Sequence, residues 1–201
     1  MDPLSPSRSC AVLARGPSNS PFMQPAARED FRAGRAGTWL TRSGAAVLIR
    51  PIDAADLPLL REFVQALSPE TKYKRYLSPR TPADEEMRRW AAIDPSHEYS
   101  LVAVDHDGGD ELLGEARYVS ESAGEAEIAI VIGDRWQGHG LGRELITRLI
   151  SAARCNGLLR LTGLALSTNK AVLTLAKKLG FRLSKTAGAG WVTTLSLDLR
   201  S

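Results

Sequence analysis

The chain carries only two cysteines, and they sit in unlike surroundings: Cys10 in a Ser/Pro/Arg-rich stretch, Cys155 near the end of an apolar-periodic segment. A pair so placed makes neither a disulfide framework nor a zinc site, so a reducing, cytoplasmic setting is the simplest expectation and no metal is expected. No apolar run approaches the roughly 18 residues that a membrane-spanning helix needs, so no membrane partner is expected. An excess of one charge is missing too: 26 basic residues stand against 23 acidic ones, a net of +3. Nucleic-acid binding calls for a concentrated basic face, so that partner is not expected either. Internal repeats are absent, which sets aside solenoids and propellers.

What is present suffices for one folded unit with an extension. A hydrophobic content of 43% over 201 residues is ample for a core. Residues 1–44 form a separate regime, with Pro3, Pro6, Pro17, Pro21 and Pro25 among many small and basic residues and no apolar period. Such composition buries too little surface to offset the entropy of ordering, so it reads as a disordered tail. An organellar transit peptide, also Arg- and Ser-rich and poor in acids, stays open.

Residues 45–201 read as alternating elements. Ala46 to Arg50 is a short strand; Asp53 or Asp56 caps a helix with Leu57, Leu60, Phe63, Val64 and Leu67 on its stripe, stopped at Ser68-Pro69. Thr81-Pro82 opens a second helix with Met87, Trp90 and Ala91 on its buried face. Three strands follow, Tyr99 to Val104, Leu112 to Val119 and Glu125 to Ile132, with a turn at Asp107-Gly108-Gly109. Helix Leu141 to Cys155, strand Arg160 to Leu166, helix Asn169 to Leu179, and strands Arg182 to Lys185 and Trp191 to Leu199 complete the chain. This order implies an α/β (α+β) unit: a mixed sheet with helices on both faces.

The stretch that carries chemistry is Gln137-Gly138-His139-Gly140-Leu141-Gly142-Arg143, between an apolar strand and a helix start. Bare N–H groups and the positive end of the helix dipole converge there, which makes an anion site. A dinucleotide fold wants G-x-G-x-x-G and a later carboxylate at a strand end, yet Arg143 fills the third glycine's place and the next strand ends without an acid. A P-loop needs Gly-Lys-Ser/Thr, which is absent. An ordinary glycine-rich turn before a helix is the bland alternative.

The spacing does match Q/R-x-x-G-x-G/A, and so resembles the acetyl-CoA signature of the GNAT N-acetyltransferases. Leu48-Ile49-Arg50-Pro51-Ile52-Asp53 resembles that family's opening, and Asn169 to Gly180-Phe181 its closing N-x-x-A…L-G-F segment, so the likeness covers about residues 46–199. Leu67-Ser68-Pro69-Glu70-Thr71-Lys72-Tyr73-Lys74-Arg75-Tyr76 is similar to the LSPE-x-x-Y-x-R-F segment of bacterial protein-lysine acetyltransferases, some of them fused to acyl-CoA synthetases or regulating them. Glu125 to Val131 is similar to their AEFAVVV strand.

The resemblance implies a mostly antiparallel sheet splayed at the acetyl-CoA strand, acetyl-CoA as cosubstrate, and a protein lysine, conceivably on an acyl-CoA synthetase, as acceptor. A small amine is the alternative acceptor, and a non-catalytic acetyl-CoA-binding module the alternative role. Pyrophosphate would meet the N–H groups of Gly138, His139, Gly140, Leu141, Gly142 and Arg143, with Gln137 adding a side-chain bond; glycines let the backbone approach without a Cβ in the way. His139 reads as a solvated spacer rather than a base. The pantetheine arm would fall to Ile130, Val131 and Ile132, where a free N–H could hold the oxyanion. A lysine ammonium must first lose a proton, and Glu127, on one strand face with Ala129 and Val131, is the candidate base. An exposed strand glutamate paired with an arginine is its bland counterpart, and Glu125 is the reserve. Asn169 caps its helix or touches the pantetheine. The family's usual acid, a tyrosine seven residues after that asparagine, is replaced by Ala176, which leaves the proton donor unassigned.

Overall fold

In the computed structural model eight strands pair into one sheet, seven of them where the sequence reading placed strands. The structure describes residues 36–42, 44–78, 80–105, 111–122, 124–185 and 188–200. The strands are β1 Gly37–Leu40, β2 Ala46–Pro51, β3 Glu98–Asp105, β4 Leu112–Ser122, β5 Glu125–Ile132, β6 Arg160–Leu166, β7 Arg182–Lys185 and β8 Val192–Asp198. The helices among the described residues are α1 Leu57–Ala66, α2 Pro69–Tyr76, α3 Asp84–Ala91, α4 Leu141–Cys155 and α5 Lys170–Lys178.

Spatial order is β1-β2-β3-β4-β5-β6-β8-β7, and every neighbouring pair is antiparallel except β5 with β6. That one parallel pair follows from its connection: α4 lies between the two strands in sequence and supplies the crossover that parallel strands require. On one face α4 and α5 pack over Val47, Ile49, Leu101, Ala116 and Leu161. On the other, α1 and α3 set Leu60, Phe63, Val64 and Met87 against Val102, Val104 and Val131.

Local signals account for most boundaries. Asp53 accepts a hydrogen bond from Ala55 N, and Asp56 returns one from Asp53 N, boxing the 3-10 turn that leads into α1. Asp56 also holds Arg50 through two 2.6 Å bonds, fixing that turn to β2. Thr81-Pro82 does not open α3; the helix starts at Asp84 with Ala83 at its cap, where Glu86 accepts from Ala83 N at 2.9 Å.

Two elements depart from the sequence reading. Ser68-Pro69 ends α1 as expected but also begins α2, because Ser68 accepts from Thr71 N and Pro69 fits the first helical turn. Strand β1 lies inside the stretch read as tail, paired with β2 from Gly37↔Ile49 to Leu40↔Ala46. Arg148, buried on α4, donates to Gly37 O at 3.2 Å and Ile49 O at 3.4 Å, so β1 is tied to the core by a charged group that reaches backbone. Residues 1–35 and 43, and the turn at Asp107-Gly108-Gly109, fall outside the described residues. Cys155 is half-buried and is not a free thiol, against the reading of an unlinked, reduced pair; Cys10 is not among the described residues.

Candidate active site

The sheet opens where β5 and β6 part. Their pairing runs through Glu125↔Arg160, Ala126↔Leu161 and Glu127↔Thr162 and then stops, while β6 stays paired with β8 as far as Leu166↔Val192. Gly163 sits at the point of divergence: a Cβ there would lie 3.1 Å from Ile128 Cγ1 and 3.2 Å from Ile128 O. Beyond it, every second N–H and C=O of residues 128–132 points away from β4 toward the opening. This is the splayed strand that the resemblance implied.

A cleft of about 620 Å³ fills the opening. Its walls include Glu127, Ile130, Val131, Ile132, Gln137, Gly138, Gly140, Gly142, Arg143 and Asn169, so ten of the twelve residues named from sequence come together there. His139 and Leu141 do not. His139 is exposed and rests edge-on against Trp136 with ring centroids 6.3 Å apart, and the Leu141 side chain is fully buried in the core. Only their backbone N–H groups are on offer to a ligand.

The glycine turn has the geometry of an anion cradle. Gly138 has φ +81° and Gly140 φ +93°, left-handed conformations that favour glycine. A Cβ on Gly138 would meet no protein atom within 4 Å, so what it would fill is the cleft itself. Gly140 caps α4, and Glu144 N is the first to find an intrahelical acceptor, Gly140 O at 3.2 Å. The N–H groups of Leu141, Gly142 and Arg143 thus precede the helical ladder and face outward at its positive end. Gln137, expected to add a side-chain bond to the pyrophosphate, donates its amide here to Thr71 Oγ1 at 3.1 Å and Ile132 O at 3.2 Å.

Register fixes the base candidate's surroundings. Glu127, Ala129 and Val131 oppose Val119, Arg117 and Glu115 of β4, so all six share the face covered by α1 to α3. Glu127 lines the cleft, half-buried, and Ala129 beside it keeps the floor low. Glu125 is half-buried and pairs with Arg160 at 3.1 Å, away from the cleft walls. Asn169 is buried and accepts from Val172 N at 3.3 Å, the helix-capping role, while also lining the cleft. Ala176 is the buried residue of α5 and lines no part of this cleft.

The segment Lys72-Tyr73-Lys74-Arg75-Tyr76, readable from sequence either as a border of the acceptor site or as a solvated connection, lines the cleft through Lys74, Arg75 and Tyr76. Trp90 is a wall residue that the sequence reading assigned to the core. Tyr76 of α2 stacks on Trp90 of α3, centroids 5.8 Å apart and planes within 8°. Arg75 lies 5.3 Å from the Tyr76 ring and Arg117 lies 5.2 Å from the Trp90 ring. Both arginines converge on Glu115, Arg117 through a short charge-assisted bond and Arg75 at 3.6 Å, with Ser100 Oγ donating at 3.2 Å. Burial would push the Glu115 carboxyl up, but the two guanidiniums and Ser100 hold it below its ordinary value. Burial pushes the Tyr76 phenol up to about 12, so it stays protonated at any working pH. One signal for this cluster was present in sequence: Glu115 and Arg117, two apart in an apolar strand, had to share a face.

The family model described as "Acetyltransferase (GNAT) domain" matches residues 46–182. The chain is 33% identical over 141 residues to acetyltransferase PA5475 of Pseudomonas aeruginosa, covering 69% of this chain and 76% of that one. It is 29% identical over 141 residues to acetyltransferase Pat of Mycolicibacterium smegmatis, spanning 69% of this chain but only 42% of that relative's length. Among solved structures, the GNAT domain of S. lividans PAT superposes with a TM-score of 0.72 at 25% identity, over 81% of this chain and 96% of that one.

Proposed function

The chain belongs to the GNAT acetyltransferase family and is an acetyl-CoA-dependent acetyltransferase; from that premise we propose that it acetylates the Nε amine of protein lysines, with Glu127 as general base. The observation that carries the reading is the parting of β5 from β6 directly after Glu127, which opens a run of unpaired backbone leading to the glycine turn. The likeness to Pat and to the PAT domain suggests a protein acceptor; a relative 31% identical over 143 residues, named L-methionine sulfoximine/L-methionine sulfone acetyltransferase, favours the second reading, a small amine.

In this reading the pyrophosphate sits against the N–H groups of residues 138–143, where fixed dipoles favour negative charge without having to reorganise. The pantetheine lies along residues 128–132 and takes up their outward N–H and C=O groups. The incoming lysine arrives on the α2–α3 side, past Tyr76 and Trp90. Its ammonium, with a reference pKa of about 10.4, must be deprotonated before it can attack. Glu127 takes that proton, directly or through one water; the amine nitrogen then bonds to the acetyl carbon and the carbon–sulfur bond breaks. A backbone N–H of residues 130–132 polarises the thioester carbonyl. Coenzyme A leaves as a thiolate, which is tolerable near neutral pH, and the second proton of the attacking nitrogen passes to that thiolate or to solvent as the amide forms.

The test is a panel of lysine-bearing proteins, acyl-CoA synthetases among them, alongside small amines, each incubated with acetyl-CoA and the enzyme. Nε-acetyl-lysine on a protein, found by mass spectrometry, is the expected product. Transfer to free small amines alone would overturn the protein-lysine reading.

A further inference from the structure

Helix α2 forms one wall of the cleft, yet it has little of its own to hold it there. It is eight residues long, and Thr71 is its one fully buried residue. Isolated helices of that length are not stable in water, and α2 buries no large apolar stripe that would dock it. Its C-terminal end is held by the contacts of Arg75 with Glu115 and Tyr76 with Trp90. The helix then stops at Leu77, the one non-glycine residue with positive φ among the described residues (φ 51°), which also lines the cleft.

The N-terminal end is held from the other side of the site. Asp134, three residues before Gln137, accepts from Ser68 N at 2.9 Å, Ser68 Oγ at 2.8 Å and Thr71 Oγ1 at 2.6 Å. Thr71 Oγ1 in turn accepts from the Gln137 amide, which also grips Ile132 O. Burial would raise the Asp134 carboxyl, but these donors outweigh it and hold it below its ordinary value, so the latch is charged at working pH. The same short segment, residues 132–137, therefore ends the splayed strand, enters the glycine turn and fixes the acceptor-side helix.

We infer that Asp134 is a positioning residue that latches α2 to the turn holding the pyrophosphate, so that acetyl-CoA binding at the turn orders the acceptor wall. The inference rests on the reading that acetyl-CoA binds at residues 137–143. Two sites biased by one shared element are coupled, and the coupling is reciprocal: whatever orders α2 also tightens acetyl-CoA. Through this latch the donor site steadies the acceptor wall that the chain's own residues build.

Amide hydrogen exchange with and without saturating acetyl-CoA tests this on the full chain and needs no knowledge of the acceptor. In the wild type, acetyl-CoA slows exchange both at residues 138–143 and across α2, five-fold or more in each. Asp134→Asn puts an amide NH2 where Ser68 N–H needs an acceptor; it keeps the protection at the turn and loses it in α2. Thr71→Val removes the shared hydroxyl without changing side-chain shape and gives the same split, which covers the case in which Asp134→Asn fails to fold. Equal α2 protection in wild type and variants, or none in wild type, overturns the latch. Absence of protection at the turn itself would instead overturn the acetyl-CoA reading beneath it.

Discussion

Glu115 and Glu127 lie on one face of the sheet, four residues out of register, and their surroundings give them opposite work. Glu115 is fully enclosed and neutralised by Arg75 and Arg117, so its value is structural. Removing it leaves two buried guanidiniums with no counter-charge. Glu115→Ala is therefore expected to cost about 3–5 kcal/mol in urea unfolding, because an uncompensated buried charge is worse than none. Glu127 faces the cleft. Glu127→Gln keeps the shape, should leave the calorimetric Kd for acetyl-CoA unchanged, and should lower kcat by about 10²- to 10⁴-fold, the usual share of a general base.

The titration of the paired carboxylates sets a pH dependence whose sign is definite. Glu115, Asp134 and Asp56 are all held below their ordinary values in the fold. Each contributes stability that is complete above its unfolded pKa of about 4 and is lost as pH falls through the lower folded value. Glu144, raised by burial despite Arg148, works the other way and blunts the effect slightly. The melting temperature should be level from pH 7 to about 5 and fall below about 4. In Glu115→Gln that acid limb should be shallower.

At the scale of elements, Gly163 marks where the site opens. Gly163→Ala drives a methyl into Ile128 at 3.1–3.2 Å, exactly where β5 and β6 must approach before they part. It should cost about 1–3 kcal/mol, as overpacking does, and weaken acetyl-CoA binding; a calorimetric Kd within two-fold of wild type would speak against the splay as the cofactor groove, the two-fold being roughly the scatter of such a measurement. How far each element was legible follows from what holds it. Strand β5 and helix α4 were read to the residue, because a continuous apolar run, three glycines and a 3.6-residue stripe mark them without help from the rest of the chain. Helix α2 was not, because Pro69–Tyr76 has no apolar period and is fixed by Asp134, Gln137, Glu115 and Trp90, all distant in sequence. Tyr76 and Trp90 could not be paired for the same reason.

At the scale of the molecule, the sheet is longer than the domain limits drawn from composition. Residues 45–201 leave out β1, whose four residues sit behind a proline-rich stretch that masks them. Trp39 of β1 comes within 3.7–3.8 Å of where a Gly140 Cβ would stand, so this edge strand backs the glycine turn from behind. A chain beginning at residue 43 should melt lower, since Arg148 loses its acceptor on Gly37, and should bind acetyl-CoA more weakly, since the turn loses its support. Thermal melts and calorimetry on the two lengths would measure both effects, and identical values would place β1 outside the working unit. Family membership, by contrast, was legible from the glycine spacing together with the flanking segments 48–53 and 169–181, because the backbone that cradles a pyrophosphate permits few sequences.

The most direct test of the whole reading is quantitative mass spectrometry of Nε-acetyl-lysine on a protein panel, after incubation with acetyl-CoA and either wild type or Glu127→Gln. Wild type should acetylate at least one protein on lysine, and the variant should fall at least about 100-fold short while still binding acetyl-CoA as tightly. A variant as active as wild type, or acetyl groups found only on small amines, would contradict it.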